Sequence, residues 1–342
     1  MKKFVFVLGA GASVDFKLPI GSELTGQIRK ALWFDRAGPG YTGGDELLRS
    51  AFLESQAAYP DWMSAARLIA SAMPLAPSID NFVDVHKSNP TIAFCAKAAI
   101  TRCILKAEQN STIYISESNF YNVFDFDQNI RSWHTLFFRI LTINCSLKEL
   151  SARLSNIAIV SFNYDRCIEH FLFHAIKSYY NISDSECTQI LNSLEIYHPY
   201  GKVGELPNLS DHDLVQYGAD VPPERLLMLS KQIRTFTESI NKESSDILRI
   251  REVVSGAMNL VFLGFAFHSL NVDLLFPSPY PEYRNSMRRI FATALGSSES
   301  DLRIIKSDLS MRFGCSDADV DLRNDLTCDR LFLEYSRTFS IA

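Results

Sequence analysis

The sequence predicts an α/β fold, a Rossmann-like parallel sheet with helices on both faces and an all-helical insertion. Short continuous apolar runs carry the sheet reading. They begin with Phe4-Val-Phe-Val-Leu8 and recur at Ile157–Phe162, Leu194–Tyr197, Asn259–Gly264 and Arg289–Ala294. Runs of this length without polar alternation mark strands buried on both faces. Helix-period stretches separate them, as crossovers between parallel strands require. From residue 35 to about residue 154 the periodicity is helical almost throughout, with no strand pattern of comparable strength. The chain therefore divides into a Rossmann-like unit, 1–34 and 155–342, and a helical module, 35–154.

Taken in order, the first run ends in Gly9-Ala-Gly-Ala-Ser13 and a turn through Asp15–Ser22, with Ser22 placed to cap a helix over Glu23–Leu32. Asp35–Asp45 holds four glycines and one proline and reads as a loop. Helices follow at 64–71, 79–86, 91–108, 132–142 and 147–154. After the second strand, Arg166–Tyr180 is an apolar helix, and the third strand ends in His198-Pro-Tyr-Gly201. Lys202–Glu224 reads as a loop, and helical patterns resume over Arg225–Gly256 with Pro223 and Glu224 placed to open them. Beyond the last two strands, Ser298 caps a helix over 298–312 with Glu299 in its first turn.

Composition narrows the function classes. With 342 residues, 47% of them hydrophobic and 21% charged, the chain can bury a large core and is no disordered protein. A net charge of −5 gives no general pull toward nucleic acid or anionic membrane, so no nucleic-acid groove is expected. No apolar run approaches the roughly 18–20 residues needed to span a bilayer. The first run follows Lys2 and Lys3 but ends in a glycine turn instead of a cleavage site, so a cytoplasmic protein is expected. Seven scattered cysteines contain no Cys-x-x-Cys pair, which argues against both a disulfide framework and a structural zinc. His170 and His174 share a helix face without a third ligand, so no metal site is expected.

The polar and glycine residues come directly after strands, where ligands of parallel sheets bind. Gly9 and Gly11 allow the backbone to approach a phosphate, with Ala10, Ala12 and Ser13 completing the loop; the same residues also suit an ordinary strand-to-helix turn. The third glycine of the dinucleotide fingerprint is replaced by Val14. Asn163-Tyr-Asp165 supplies a carboxamide and a carboxylate, or a turn in which Asp165 caps the next helix. His198 titrates near neutrality and could serve as a base, or be a strand-end residue with no role. Asp80 and Glu108 read as helix caps or solvated faces, outside any site.

Together these loops resemble those of the sirtuin-type family of NAD-consuming proteins, and most closely its prokaryotic antiphage-defence branch. The resemblance rests on Gly9-Ala-Gly-Ala-Ser13 with the downstream Pro19, Ser78-Ile-Asp80-Asn-Phe82, Ser161-Phe-Asn163-Tyr-Asp165, Gly264-Phe-Ala-Phe-His-Ser-Leu-Asn271 and Ala292–Gly296. It implies an NAD hydrolase that releases nicotinamide and ADP-ribose, with NAD as substrate and no prosthetic group. By resemblance Asn163 and Asp165 are catalytic, and Gly9–Ser13, Pro19, Gly264, Phe265, His268 and Asn271 hold the dinucleotide; His198 is the candidate base because a shift of two positions along a strand keeps a side chain on the same face. Implied partners are further copies of the chain and a HerA-type hexameric ATPase or an Argonaute-type protein. Two departures stand out. The zinc-binding cysteine pairs of the deacetylases are missing, which argues against deacetylation. Where the family has histidine before a glycine, this chain has Tyr200 before Gly201, with His198 two positions earlier. The alternative from a different class is a non-catalytic NAD- or ADP-ribose-binding sensor or scaffold subunit.

Overall fold

The computed structural model describes residues 2–37, 40–116, 124–207, 209–210, 214–234, 238, 245–277, 280–281 and 285–340. Six strands form one sheet, all parallel: β1 (Phe4–Leu8), β4 (Ile157–Ser161), β5 (Glu195–Tyr197), β6 (Asn259–Leu263), β7 (Arg289–Thr293) and β8 (Val320–Arg323). Across the sheet they run β5-β4-β1-β6-β7-β8. Counted by appearance in the sheet, this is the third-second-first-fourth-fifth-sixth order of the Rossmann fold. β1 is therefore central, with β4 and β6 in register on either side, and the direction of winding reverses between β1 and β6. All residues of β1 and β4 are buried, which is why both read as unbroken apolar runs.

Helices cover both faces. α1 (Gly21–Leu32) turns Leu24, Ile28 and Leu32 inward at helical spacing. It starts after Ile20 without a side-chain cap, and the Ile20 N–H donates back to Glu23 Oε2 (3.0 Å). Ser22 thus lies inside the first turn, and the predicted cap moves two residues earlier. Helices α2 (Glu46–Glu54), α3 (Trp62–Ala72), α4 (Ile79–Val85), α5 (Pro90–Gln109), α6 (Trp133–Thr142) and α7 (Leu147–Ser155) fill the stretch before β4. This stretch is not all-helical. Phe34–Ala37 (β2) and Gly40–Gly43 (β3) pair as an antiparallel hairpin where the glycine content predicts a loop. Glycine-rich sequence suits a hairpin's positive-φ positions as well as a loop, and Gly43 has φ +74. Residues 38 and 39 lie outside the described residues.

The remaining helices are α8 (Cys167–Tyr180), α9 (Asp184–Leu191), α10 (Pro223–Ser230), α11 (Ser245–Ser255), α12 (Ser269–Leu275), α13 (Glu299–Phe313) and α14 (Cys328–Glu334). Pro223 and Glu224 open α10, and Ser298 caps α13 by accepting from Asp301 N, as the sequence predicts. Of the helical pattern over 225–256, residues 235–237 and 239–244 lie outside the described residues. The helices of 35–154 pack into the same two apolar clusters as the sheet: α2 to α5 with Val5 and Val7, and α6 and α7 with Phe4, Phe6 and Leu8. Among the described residues no helix is long and apolar enough to cross a membrane.

Candidate functional site

The loops after β1, β4, β5 and β6 meet at the carboxyl end of the sheet, and the closest contact is between backbones. Gly9 N donates to Leu263 O (3.0 Å) and Gly11 N to Gly264 O (3.1 Å). A Cβ on Gly9 would stand 2.5 Å from Gly264 O, and one on Gly264, where φ is +57, 2.2 Å from Ala12 N. These glycines are required because two loops cross at the point where the winding reverses. Beyond Gly9 the chain enters a 3-10 helix, Ala10–Phe16, which the insertion grips from outside. Trp133 Nε1 donates to Ala12 O (2.6 Å) and Trp133 N to Asp15 Oδ2 (2.9 Å).

Asn163 ties the second loop to the first. Its Nδ2 donates to Gly9 O (3.0 Å) and to Ser13 Oγ (3.1 Å), and Ser13 Oγ donates to Asp165 Oδ2 (3.0 Å). The other Asp165 oxygen accepts from Cys167 N (3.1 Å), so this carboxylate also closes the start of α8. Burial pushes the Asp165 carboxyl above its ordinary range, against the hydrogen bonds from Cys167 and Ser13. Ser13, Asn163 and Asp165 are all buried.

The third loop brings His198 against Asn163. Nδ1 faces Asn163 O at 3.0 Å, and Nε2 faces Glu169 Oε1 at 2.9 Å. Both ring nitrogens thus face oxygen atoms of the protein. Neither is open to take a proton from a ligand in this arrangement. Lys202 Nζ lies 3.2 Å from the same Glu169 oxygen. Against the penalty of burial, Lys202 and His198 hold the Glu169 carboxyl well below the usual range, and Oε2 of Glu169 is buried without a hydrogen-bond partner.

Tyr200 turns into the core instead. Its ring packs edge-on to Phe162, and its hydroxyl donates to Asn271 Oδ1 (2.5 Å). Phe265 is buried against Phe162. Phe267 holds φ +55, a backbone conformation uncommon for an aromatic residue. His268 is exposed at the start of α12.

The geometry thus gathers Gly9–Ser13, Asn163, Asp165, His198, Gly264, Phe265, His268 and Asn271 at the carboxyl end of the sheet. Pro19 borders a cavity between α1 and α5. Two carboxylates read from sequence as caps or solvated faces are neither. Asp80 accepts from the Tyr164 hydroxyl, and burial raises its carboxyl despite that bond. Glu108 is fully buried opposite Arg166. The signal available for Asp80 was the Ser78-Ile-Asp80-Asn-Phe82 pattern itself. Glu169 and Lys202 had none, because each reads as an ordinary helix or loop charge.

Among the described residues no group of three or more His, Cys, Asp or Glu side chains could hold a metal ion. His170 instead stacks on Tyr217 and bonds Ile113 O; His212 lies outside the described residues. In comparisons with protein-family models and with curated proteins, nothing matches this chain.

Proposed function

We propose that this protein binds NAD at the carboxyl end of the sheet and hydrolyses its nicotinamide–ribose bond, as the sirtuin-type resemblance implies. The observation that carries the reading is Asn163. Its carboxamide lies beside the reversal of winding, where Rossmann sheets bind dinucleotides, and joins the β1 and β4 loops through Gly9 O and Ser13 Oγ. In the proposed reaction the C1′–nitrogen bond breaks with its electron pair leaving on nicotinamide. Water supplies the new oxygen at C1′, and one proton is released. Asn163 orients the ribose and the water, a task of position more than of acid–base strength. Asp165, with its affinity for a proton raised by burial, accepts from the nicotinamide amide once Ser13 turns toward the pyrophosphate. His198 can take the released proton only after leaving Glu169 or Asn163 O.

His198 also favours a second reading, a module that binds NAD or ADP-ribose without cleaving it, because both its nitrogens are engaged. Under either reading the protein acts in the cytoplasm, in a larger assembly with its own copies and a HerA-type or Argonaute-type partner. Incubating the protein with NAD and following nicotinamide release, alone and with such partners, separates the readings. Turnover that falls by two orders of magnitude or more in Asn163→Ala, in protein that circular dichroism shows still folded after the loss of about 1–3 kcal/mol expected from two buried hydrogen bonds, supports the hydrolase. Undiminished turnover in that variant refutes the role of Asn163. Binding without turnover in every assembly supports the module.

A further inference from the structure

The cavity beside Pro19 has a chemistry of its own. It is an open recess of about 410 Å³ between α1, α5 and the residues leading into α2, a volume within the range of small-molecule sites. Four cationic side chains line it, Lys17, Lys30, Arg102 and Lys106, against the single carboxylate of Asp45. This excess belongs to a chain whose net charge is −5. Asp45 is buried and engaged: Arg102 Nε lies 3.1 Å and Lys106 Nζ 2.6 Å from its Oδ2, and its Oδ1 accepts from Leu48 N. One side chain thus fixes two of the cations while leaving the ammonium of Lys106 with further donors to offer. Lys17 and Lys30 have no carboxylate within ion-pair distance among the described residues.

Arg102 Nη1 also lies 3.3 Å from Asp220 Oδ1, so the unbalanced charge is that of the exposed Lys17 and Lys30 beside Lys106, and such a recess is complementary to a ligand that brings the missing negative charge. We infer that this cavity is a second binding site, for a free phosphorylated small molecule of about nucleotide size. Phosphate is the favoured group because it accepts from several donors at once, and lysine and arginine converge here from three directions. Pro19 is the only residue of the predicted dinucleotide site on its wall. None of Gly9–Ser13 or Asn163 lines it, and the inference stands whether or not NAD is cleaved.

The test is calorimetric titration of the whole chain with inorganic pyrophosphate and with ADP. The variants are Lys17→Glu/Lys30→Glu and Asn163→Ala. Losing two charge-assisted contacts should weaken one binding event at least about tenfold. Asn163→Ala should leave that event within about twofold of wild type, and its affinity should fall as salt rises. Lys17→Gln/Lys30→Gln, which removes charge without reversing it, decides the matter if the double Glu variant melts well below wild type. Identical titrations of wild type and both lysine variants, including no binding in any, would overturn the inference. So would loss confined to Asn163→Ala, which would put the phosphate on the glycine loop, or tighter binding of a short DNA duplex than of ADP. Absence of nicotinamide release has no bearing on any of these results.

Discussion

Removing the Glu108 carboxylate should be among the most damaging single changes available in this protein. Glu108 and Arg166 are both fully buried. Glu108 Oε1 accepts from Arg166 N and Nε (3.1 Å each), and Oε2 accepts from Arg166 Nη2 (2.5 Å) and Gly218 N (3.0 Å). The guanidinium also donates to Val215 O (2.6 Å) and Gln216 O (3.1 Å) and lies 5.9 Å from the Tyr217 ring. Glu108→Ala leaves an arginine charge with no counter-ion and two backbone N–H groups without acceptors. Breaking a buried pair from one side costs about 3–5 kcal/mol, the stranded charge being the larger part. Replacing both partners by apolar residues, Glu108→Leu with Arg166→Met, removes the charge as well and should cost less than Glu108→Ala alone. Urea unfolding monitored by circular dichroism, extrapolated to water for the two singles and the double, reads the coupling directly. A loss below about 1 kcal/mol in Glu108→Ala would refute this account. So would a double variant as unstable as the sum of the singles, since the pair would then be two independent contacts.

Three other outcomes are expected. Gly264→Ala forces a left-handed residue and a Cβ 2.2 Å from Ala12 N, and should destabilise by about 2–5 kcal/mol. Gly26→Ala, inside α1 with nothing within 4 Å, should stabilise by about 0.5–1 kcal/mol, and equal effects at the two sites would refute the crossing-loop argument. Burial holds His134 and His170 well below the ordinary histidine value of 6.5 and lowers His174 to about 4. Below pH 6.5 the unfolded chain therefore takes up protons that the native state refuses, and stability falls as pH drops toward 4, by ~3 kcal/mol for His174 alone. The raised carboxyls of Asp15, Asp80 and Asp165 act in the opposite sense, so urea midpoints at pH 7.5, 6 and 5 are best compared with those of His134→Phe. A fall no shallower in that variant would show that His134 remains charged when folded. Tyr164→Phe strips Asp80 of its hydroxyl donor and should cost about 1–3 kcal/mol, while Tyr164→Phe with Asp80→Leu recovers part of that loss in the same unfolding assay.

What could be read from the sequence follows from how far each signal reaches along the chain. β1, β4, β6 and β7 were legible because strands buried on both faces need no partner to look apolar. β8 was not, since Val320-Asp-Leu-Arg323 is a four-residue edge strand with Asp321 facing solvent. The position of the site was legible from polar residues that follow strands, and its wiring was not. Gly9 and Gly11 announce a close backbone approach, but Gly264, which they approach, lies about 250 residues further on. Glu108 looks like any helix-end glutamate until Arg166 arrives, 58 residues later, to bury it. His198 looks like a free base until Glu169 and Asn163 O occupy its ring.

These long-range partners give the insertion a function beyond covering the sheet. Trp133 holds the 3-10 helix that carries Ser13, Asp80 holds the Tyr164 that separates Asn163 from Asp165, and Glu108 holds the Arg166 that follows Asp165. Three groups from three insertion helices or their caps therefore fix both loops that Asn163 joins. A polar site whose atoms satisfy one another, as Asn163, Ser13 and Asp165 do, can admit a ligand only if its loops stay in place while the internal bonds are exchanged. Loops of a bare Rossmann sheet would relax when Ser13 turned outward. If NAD binds as proposed, these contacts would confine the exchange to the Ser13 hydroxyl and the Asn163 carboxamide and leave the glycine crossing beneath in place.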